Sequence, residues 1–302
     1  MVLSLKSVSE FSYASFVNTL SIDDETVYVD FTADPFLIPV AVLTLLIKIK
    51  EWLQQKKTVY VRNHKRCRYL HRMNFFKMAG LKVDEDFTRH SADGRFVEIT
   101  EIGVDTDLLA SNIADCLLQE QSGSWNPEET GAYDLLFYSI TELANNVLQH
   151  SRGKGYCFVQ KYPKKNYLRI AIADDGIGIK NSLIDTPYFK EKAVEAIAEA
   201  IKPRVSGSTH KTIGESVNFG VGLAILTKLS SLLGGYFSIY SDDGLYSSHG
   251  ATTVRSPIQG TICGFCFPLD ALDGKSFNTT VLQRSKKELG LLTDNNFSGV
   301  FI

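Results

Sequence analysis

The chain has 302 residues, of which 44% are hydrophobic and 22% charged, with a net charge of −2. That composition excludes disordered and fibrous classes and allows two domains of ordinary size. The near-neutral balance argues against a surface built throughout for nucleic acid. The five cysteines, Cys67, Cys116, Cys157, Cys263 and Cys266, are too scattered for a disulfide framework, so a reducing, cytoplasmic location is expected.

The opening "MVLSLKSVSEFSYASF" lacks the basic start and long apolar run of a signal peptide. The most apolar stretch, "FLIPVAVLTLLI" at 36–47, falls short of the ~20 residues a spanning helix needs. It reads as a buried helix, and no membrane partner is expected. "VYVDF" (27–31) alternates into a strand. A helix is expected next, with Asp34 as its cap and Pro35 in its first turn. "TVYVRN" (58–63) is a second strand, and a helix running through "RCRYLHRMNFFKMAGL" should close at Gly80. Strand, helix, strand, helix with so long a crossover predicts parallel pairing. The cations of "RNHKRCRYLHR" (62–72) read better as a solvated helix face than as a nucleic-acid site, so nucleic acid is not an expected partner.

A domain boundary is expected near residues 100–101, giving units 1–100 and 101–302. The second unit should begin with two helices, roughly 105–120 and 128–150. Strands "GYCFVQ" and "YLRIAIADD" follow, then a charged helix and an aperiodic stretch from 203 to 219. A helix "GLAILTKLSSLLGG" comes next, and strands "YFSIYSDD" and "TICGFCFPL" close the unit. The CxxC of Cys263 and Cys266 lies within such a strand and has no second pair, which disfavours a metal or redox role.

Four segments carry candidate chemistry. On the helix 128–150, Glu142, Asn146 and His150 recur at i, i+4, i+8, roughly 40° apart at each step. Taken alone they read as a solvated stripe, but an amide oxygen also suits Mg²⁺. In "DDGIG", Asp174 offers only acceptors, which selects for a donor such as the adenine amine. Gly176 and Gly178 would let backbone approach a flat base. In "GVGL", Gly220, Val221, Gly222 and Leu223 lead into a helix whose free N–H groups suit phosphate. In "GTICGF", Thr261 opens a strand with its hydroxyl available.

An acid–amide helix, a strand ending in DxGxG, an irregular segment ending in GxG before a helix, and a Gly-Thr strand, in that order, resemble the GHKL ATPase superfamily. It groups gyrase-type topoisomerases, heat-shock chaperones of the 90-kDa class, histidine kinases and mismatch-repair proteins. The resemblance covers roughly 105–270. It implies a Bergerat-type α/β sandwich, a mixed sheet with helices on one face. It also implies ATP and Mg²⁺ as ligands, Glu142 as general base, Asn146 as magnesium ligand and Asp174 as the adenine contact. The remaining nucleotide contacts would be Gln149, His150, Gly176, Gly178, Gly220, Val221, Gly222, Leu223, Thr261 and Lys211, with 203–219 as a mobile ATP lid. Gln149 stands where many histidine kinases carry Lys, and no His-bearing helix precedes the motif. An orthodox sensor histidine kinase is therefore not expected. Glu142 together with His150 resembles the anti-sigma-factor serine kinases more, although one histidine-kinase subfamily also carries Glu there. The resemblance is closest to histidine-kinase-like and anti-sigma-factor serine kinase ATPase domains, without deciding between them.

Residues 25–83 resemble STAS domains, the fold of anti-sigma-factor antagonists. Those usually carry a phosphorylatable Ser before the first helix, and "TADPFLIP" has none. The resemblance implies a docking unit for a protein partner or substrate, and a homodimer stays open. Two functions compete: an ATPase or protein kinase, and a non-catalytic, nucleotide-switched interaction module.

Overall fold

The computed structural model describes residues 1–86, 88–89, 96–118, 131–207, 220–272 and 277–292. In the N-terminal part, β1 (Val2–Ser4), β2 (Thr26–Asp30) and β3 (Thr58–Arg62) form a parallel sheet in the order β1-β2-β3. A short helix, α1 (Tyr13–Thr19), follows β1, and α2 (Pro39–Gln54) makes the crossover from β2 to β3.

The start of α2 differs from expectation. The helix begins at Pro39, and Asp34 has a positive φ of 44° instead of capping it. A residue before proline is pushed out of the α region, and Ile38 is accordingly extended with ψ 154°. Residues 34–38 instead run beside Val8, whose N–H donates to the Phe36 carbonyl at 2.8 Å. The helix expected through 66–80 is also broken. It becomes a 3₁₀ turn (His64–Arg66), α3 (Arg68–Arg72) and α4 (Phe75–Met78). Asn63 and Asn74 take left-handed conformations at the breaks, a backbone state that asparagine tolerates better than most residues.

The second sheet contains β4 (Phe96–Glu101), β5 (Gly155–Tyr162), β6 (Tyr167–Asp174), β7 (Tyr236–Ser247) and β8 (Gly250–Pro268), in the order β4-β5-β6-β8-β7. Every pairing in it is antiparallel, which corrects the expected mixed sheet. Turns as short as those joining β5 to β6 and β7 to β8 can only connect antiparallel strands. β4 straddles the expected boundary at 100–101 and pairs with β5. Helices α5 (Thr106–Leu118), α6 (Ala132–Asn146), α7 (Gly178–Ser182), α8 (Ala193–Ala200), α9 (Gly222–Leu232) and α10 (Gln283–Glu288) complete the described elements.

Both faces of the five-stranded sheet are covered. Along β6, Ile170 and Ile172 join a core with α5, α6 and α9, whereas Ala171 and Ala173 join a core with α2. That is the period-two alternation of a strand. The small alanines and Gly264 admit α2 closely: a Cβ on Gly264 would lie 2.7 Å from Val40 Cβ. Twelve residues of α2 are buried, because one side meets the three-stranded sheet and the other the five-stranded sheet. A helix apolar all round is one that is packed all round. Its one deeply buried charge, Lys48, pairs with Glu51 at 3.1 Å and donates to the Pro257 carbonyl of β8 at 2.7 Å. Cys263 and Cys266 are free, buried and three apart on one strand, so they point to opposite faces and cannot share a metal. Among the described residues no helix is long and apolar enough to cross a membrane.

Candidate functional site: the cleft between α6, β6 and α9

β6 ends at Asp174, whose register partner on β8 is Thr261. The carboxyl is only 5% exposed and accepts the Gly176 N–H at 2.9 Å. Burial pushes its pKa up to about 7 against the downward pull of N–H donors from Gly176 and Thr261. The chain then turns through Gly178, at φ 76°, a left-handed conformation that favours glycine. Ser241 on β7 holds this turn. Its hydroxyl accepts the Ile179 N–H at 2.9 Å, donates to the Gly260 carbonyl at 2.8 Å, and lies 3.3 Å from Thr261 Oγ1.

The facing wall comes from α6. After Asn146 the helix widens into a π turn, Val147–Ser151, a feature often found at functional sites. Through this turn Leu148 and Gln149 face solvent, while His150 and Ser151 face the cleft. Burial lowers the pKa of His150 and favours its neutral form. At the third wall, Gly220 and Gly222 bring the chain into α9.

Asn146, His150, Asp174, Gly178, Gly220, Gly222, Leu223 and Thr261 thus line one cleft of about 810 Å³, mouth included, floored by Leu143, Ile172 and Cys263. Four other predicted residues stand apart from that lining. Gly176 packs against the Ser151 carbonyl, Val221 packs into the core beside α9, and Gln149 is exposed. Glu142 borders the cleft, half-buried, with its carboxylate against Gly222. Burial raises the Glu142 pKa, opposed by Lys286 from α10. Lys211 and residues 208–219 of the expected lid lie outside the described residues.

Sequence reasoning missed Ser241 and Lys286. Ser241 acts through strand pairing with Thr261, and Lys286 lies in a C-terminal segment whose weak pattern gave no signal. The donors in the cleft suit a particular kind of cation. Among the described residues no three His, Cys, Asp or Glu side chains gather as a metal cage. One amide oxygen, from Asn146, fits an ion that keeps its waters and the phosphate oxygens of a substrate.

A search of curated proteins finds no match to the chain. Residues 131–271 match the family of histidine kinase-, DNA gyrase B-, and HSP90-like ATPases. That span contains α6, the end of β6, the entry to α9 and Thr261, so this part of the chain is an ATP-binding domain of the GHKL type.

Proposed function

We propose that this domain turns ATP over with Mg²⁺, either by hydrolysis or by transfer of the γ-phosphoryl group to a hydroxyl of a protein partner. The carrying observation is the contact between Glu142 and Gly222, which sets a carboxylate at the entry to α9. The free N–H groups of a helix start attract phosphate. A nucleophile held there lies within reach of Glu142, and the burial that raises the Glu142 pKa makes it a stronger base.

In this reading Asp174 accepts the adenine amine, and Thr261, buttressed by Ser241, completes that end of the cleft. Asn146 offers its amide oxygen to magnesium, which when bound screens phosphate charge. Glu142 orients the attacking oxygen and takes its proton. Phosphoryl transfer asks little else of a protein beyond position and charge stabilisation.

A second reading, a nucleotide-switched interaction module, has its own support. No lysine or arginine is among the described residues lining the cleft, and a catalytic site gains much from such cations. Incubation with γ-labelled ATP separates the cases. Released phosphate or labelled protein supports turnover, and ATP that is bound but unchanged supports the switch.

The parallel strand–helix–strand unit supports a STAS-like docking role for the N-terminal part. Because α2 is engaged by both sheets, docking would fall to the outer face of β2 and β3. There Tyr28 and Tyr60 stack 5.3 Å apart and Arg62 covers Tyr28 at 3.9 Å.

A further inference from the structure

A separate groove lies between α3, Phe36 and the turn that joins β5 to β6, and holds about 1540 Å³, mouth included. Two segments distant in sequence bring cations to it. Arg68 and Arg72 stand four apart on α3 and so share one face. Lys161 lies near the end of β5, and Lys164 and Lys165 stand in the 3₁₀ turn Pro163–Lys165. The pattern of 62–72 suggests the solvated face of one long helix. The break after His64–Arg66 sets Arg68 and Arg72 along a concavity instead.

No Asp or Glu is among the described residues lining the groove. Glu98 pairs with Arg72. Arg68, Lys161, Lys164 and Lys165 make no ion pair with the described residues, and all but Lys161 are exposed. The whole chain carries 34 acids against 32 bases, so this is a local excess of positive charge. A ligand bearing carboxylates relieves the repulsion among such cations.

The groove is also aromatic. Phe36 is 41% exposed and meets Tyr162 edge to face at 6.0 Å, and Phe96 lines the groove half-buried. Exposed apolar groups rimmed by charge suit a protein partner. A nucleic-acid base is served less well, because it stacks on bare ring faces. Lys165 already covers Phe36 at 5.3 Å, Arg72 covers Phe96 at 4.9 Å and Arg169 covers Tyr162 at 4.6 Å.

We infer that this groove docks a short acidic peptide segment of a partner protein. One large apolar side chain packs against the Phe36 and Phe96 rings, and Asp or Glu residues beside it meet Arg68, Lys164 and Lys165. None of these residues lines the nucleotide cleft, so the inference stands apart from ATP turnover.

The test is fluorescence anisotropy with the full chain and a fluorescein-labelled hexapeptide that has a Leu-Trp pair between two pairs of Glu. It should bind saturably, at least about tenfold more tightly than the same peptide with Gln for Glu or with Ala for Leu and Trp. Raising salt from about 50 to about 300 mM should weaken it. Lys164→Glu with Lys165→Glu should cost about tenfold or more, and Phe36→Ala about fivefold. Lys190→Glu with Lys192→Glu, the same charge change outside the groove, should leave binding within about twofold of wild type. If Phe36→Ala is misfolded by circular dichroism, the Ala peptide makes the same comparison from the ligand side. No saturable binding up to about 1 mM would overturn the inference. So would equal binding of the Gln peptide, or equal losses in the two lysine pairs. Tighter binding of a labelled oligothymidine, lost in the Lys164, Lys165 variant, would assign the groove to nucleic acid instead.

Discussion

Glu142 and Gly222 are in contact across the space between α6 and α9. A Cβ on Gly222 would lie 2.2 Å from Glu142 Oε2, a separation no real methyl group can hold. The glycine is therefore the space in which the carboxylate sits, and a change at either residue is felt at the other.

Gly222→Ala should displace the carboxylate and lower ATP turnover by roughly 10²-fold, within the range a positioned base supplies. Glu142→Ala alone should lower turnover by ~10²–10⁴ and leave ATP affinity almost unchanged. In the double variant Gly222→Ala should add little, because its steric partner is gone. Steady-state phosphate release from the four proteins measures the coupling, and fully additive losses would separate Gly222 from Glu142.

Asp174→Asn should weaken ATP binding by about ten- to hundredfold, the cost of a mismatched buried polar group of ~1–3 kcal/mol. Calorimetry reads this directly. Wild-type affinity in the variant would assign the adenine to another residue.

Asp174 also makes stability depend on pH. Its pKa in the folded chain is raised from 3.8 to about 7. Between those values the native state holds a proton that the unfolded state has lost. This contribution is complete below about pH 4 and is lost as pH rises through 7, at no more than about 1.4 kcal/mol per pH unit. Urea melts from pH 4 to 8 should show wild type losing stability relative to Asp174→Asn as pH rises. Parallel profiles would mean that the carboxyl ionises freely.

Lys48 ties α2 to β8 through the Pro257 carbonyl and pairs with Glu51. Lys48→Ala removes one partner of a buried pair and should cost about 3 kcal/mol in a denaturant melt. A loss below about 1 kcal/mol would put this link among ordinary surface pairs.

Removal of residues 1–88 would uncover Tyr156, Phe158, Tyr240 and Ile262, which now pack with α2. An exposed apolar face of that kind promotes association. The truncated chain should aggregate or bind a hydrophobic dye, as read by size-exclusion chromatography and fluorescence. A monodisperse, dye-silent fragment would show that the sheet does not need its N-terminal cover.

Much of this protein is written in local signals. The alternation of "YLRIAIAD" marks β6, and the glycines after Asp174 and before α9 punctuate the chain where it turns. Such signals depend only on residues close in sequence, which is why eight of the predicted residues could be read in order and are found around one cleft. Other features depend on contacts between distant segments. The apolar run of α2 identifies a buried helix, but only packing decides that two different sheets bury it, because every face of the run is equally apolar. The i, i+4 spacing puts Glu142 on the same side as Asn146, yet its place against Gly222 depends on α9 docking eighty residues later. Ser241 reaches the glycine turn through a strand register, and Lys286 reaches Glu142 from the C-terminal helix. Arg169 and Glu10 meet across 159 positions of sequence. Sequence periodicity determines which face of an element is apolar. The tertiary structure decides what that face meets, because long-range packing free energy selects the partner.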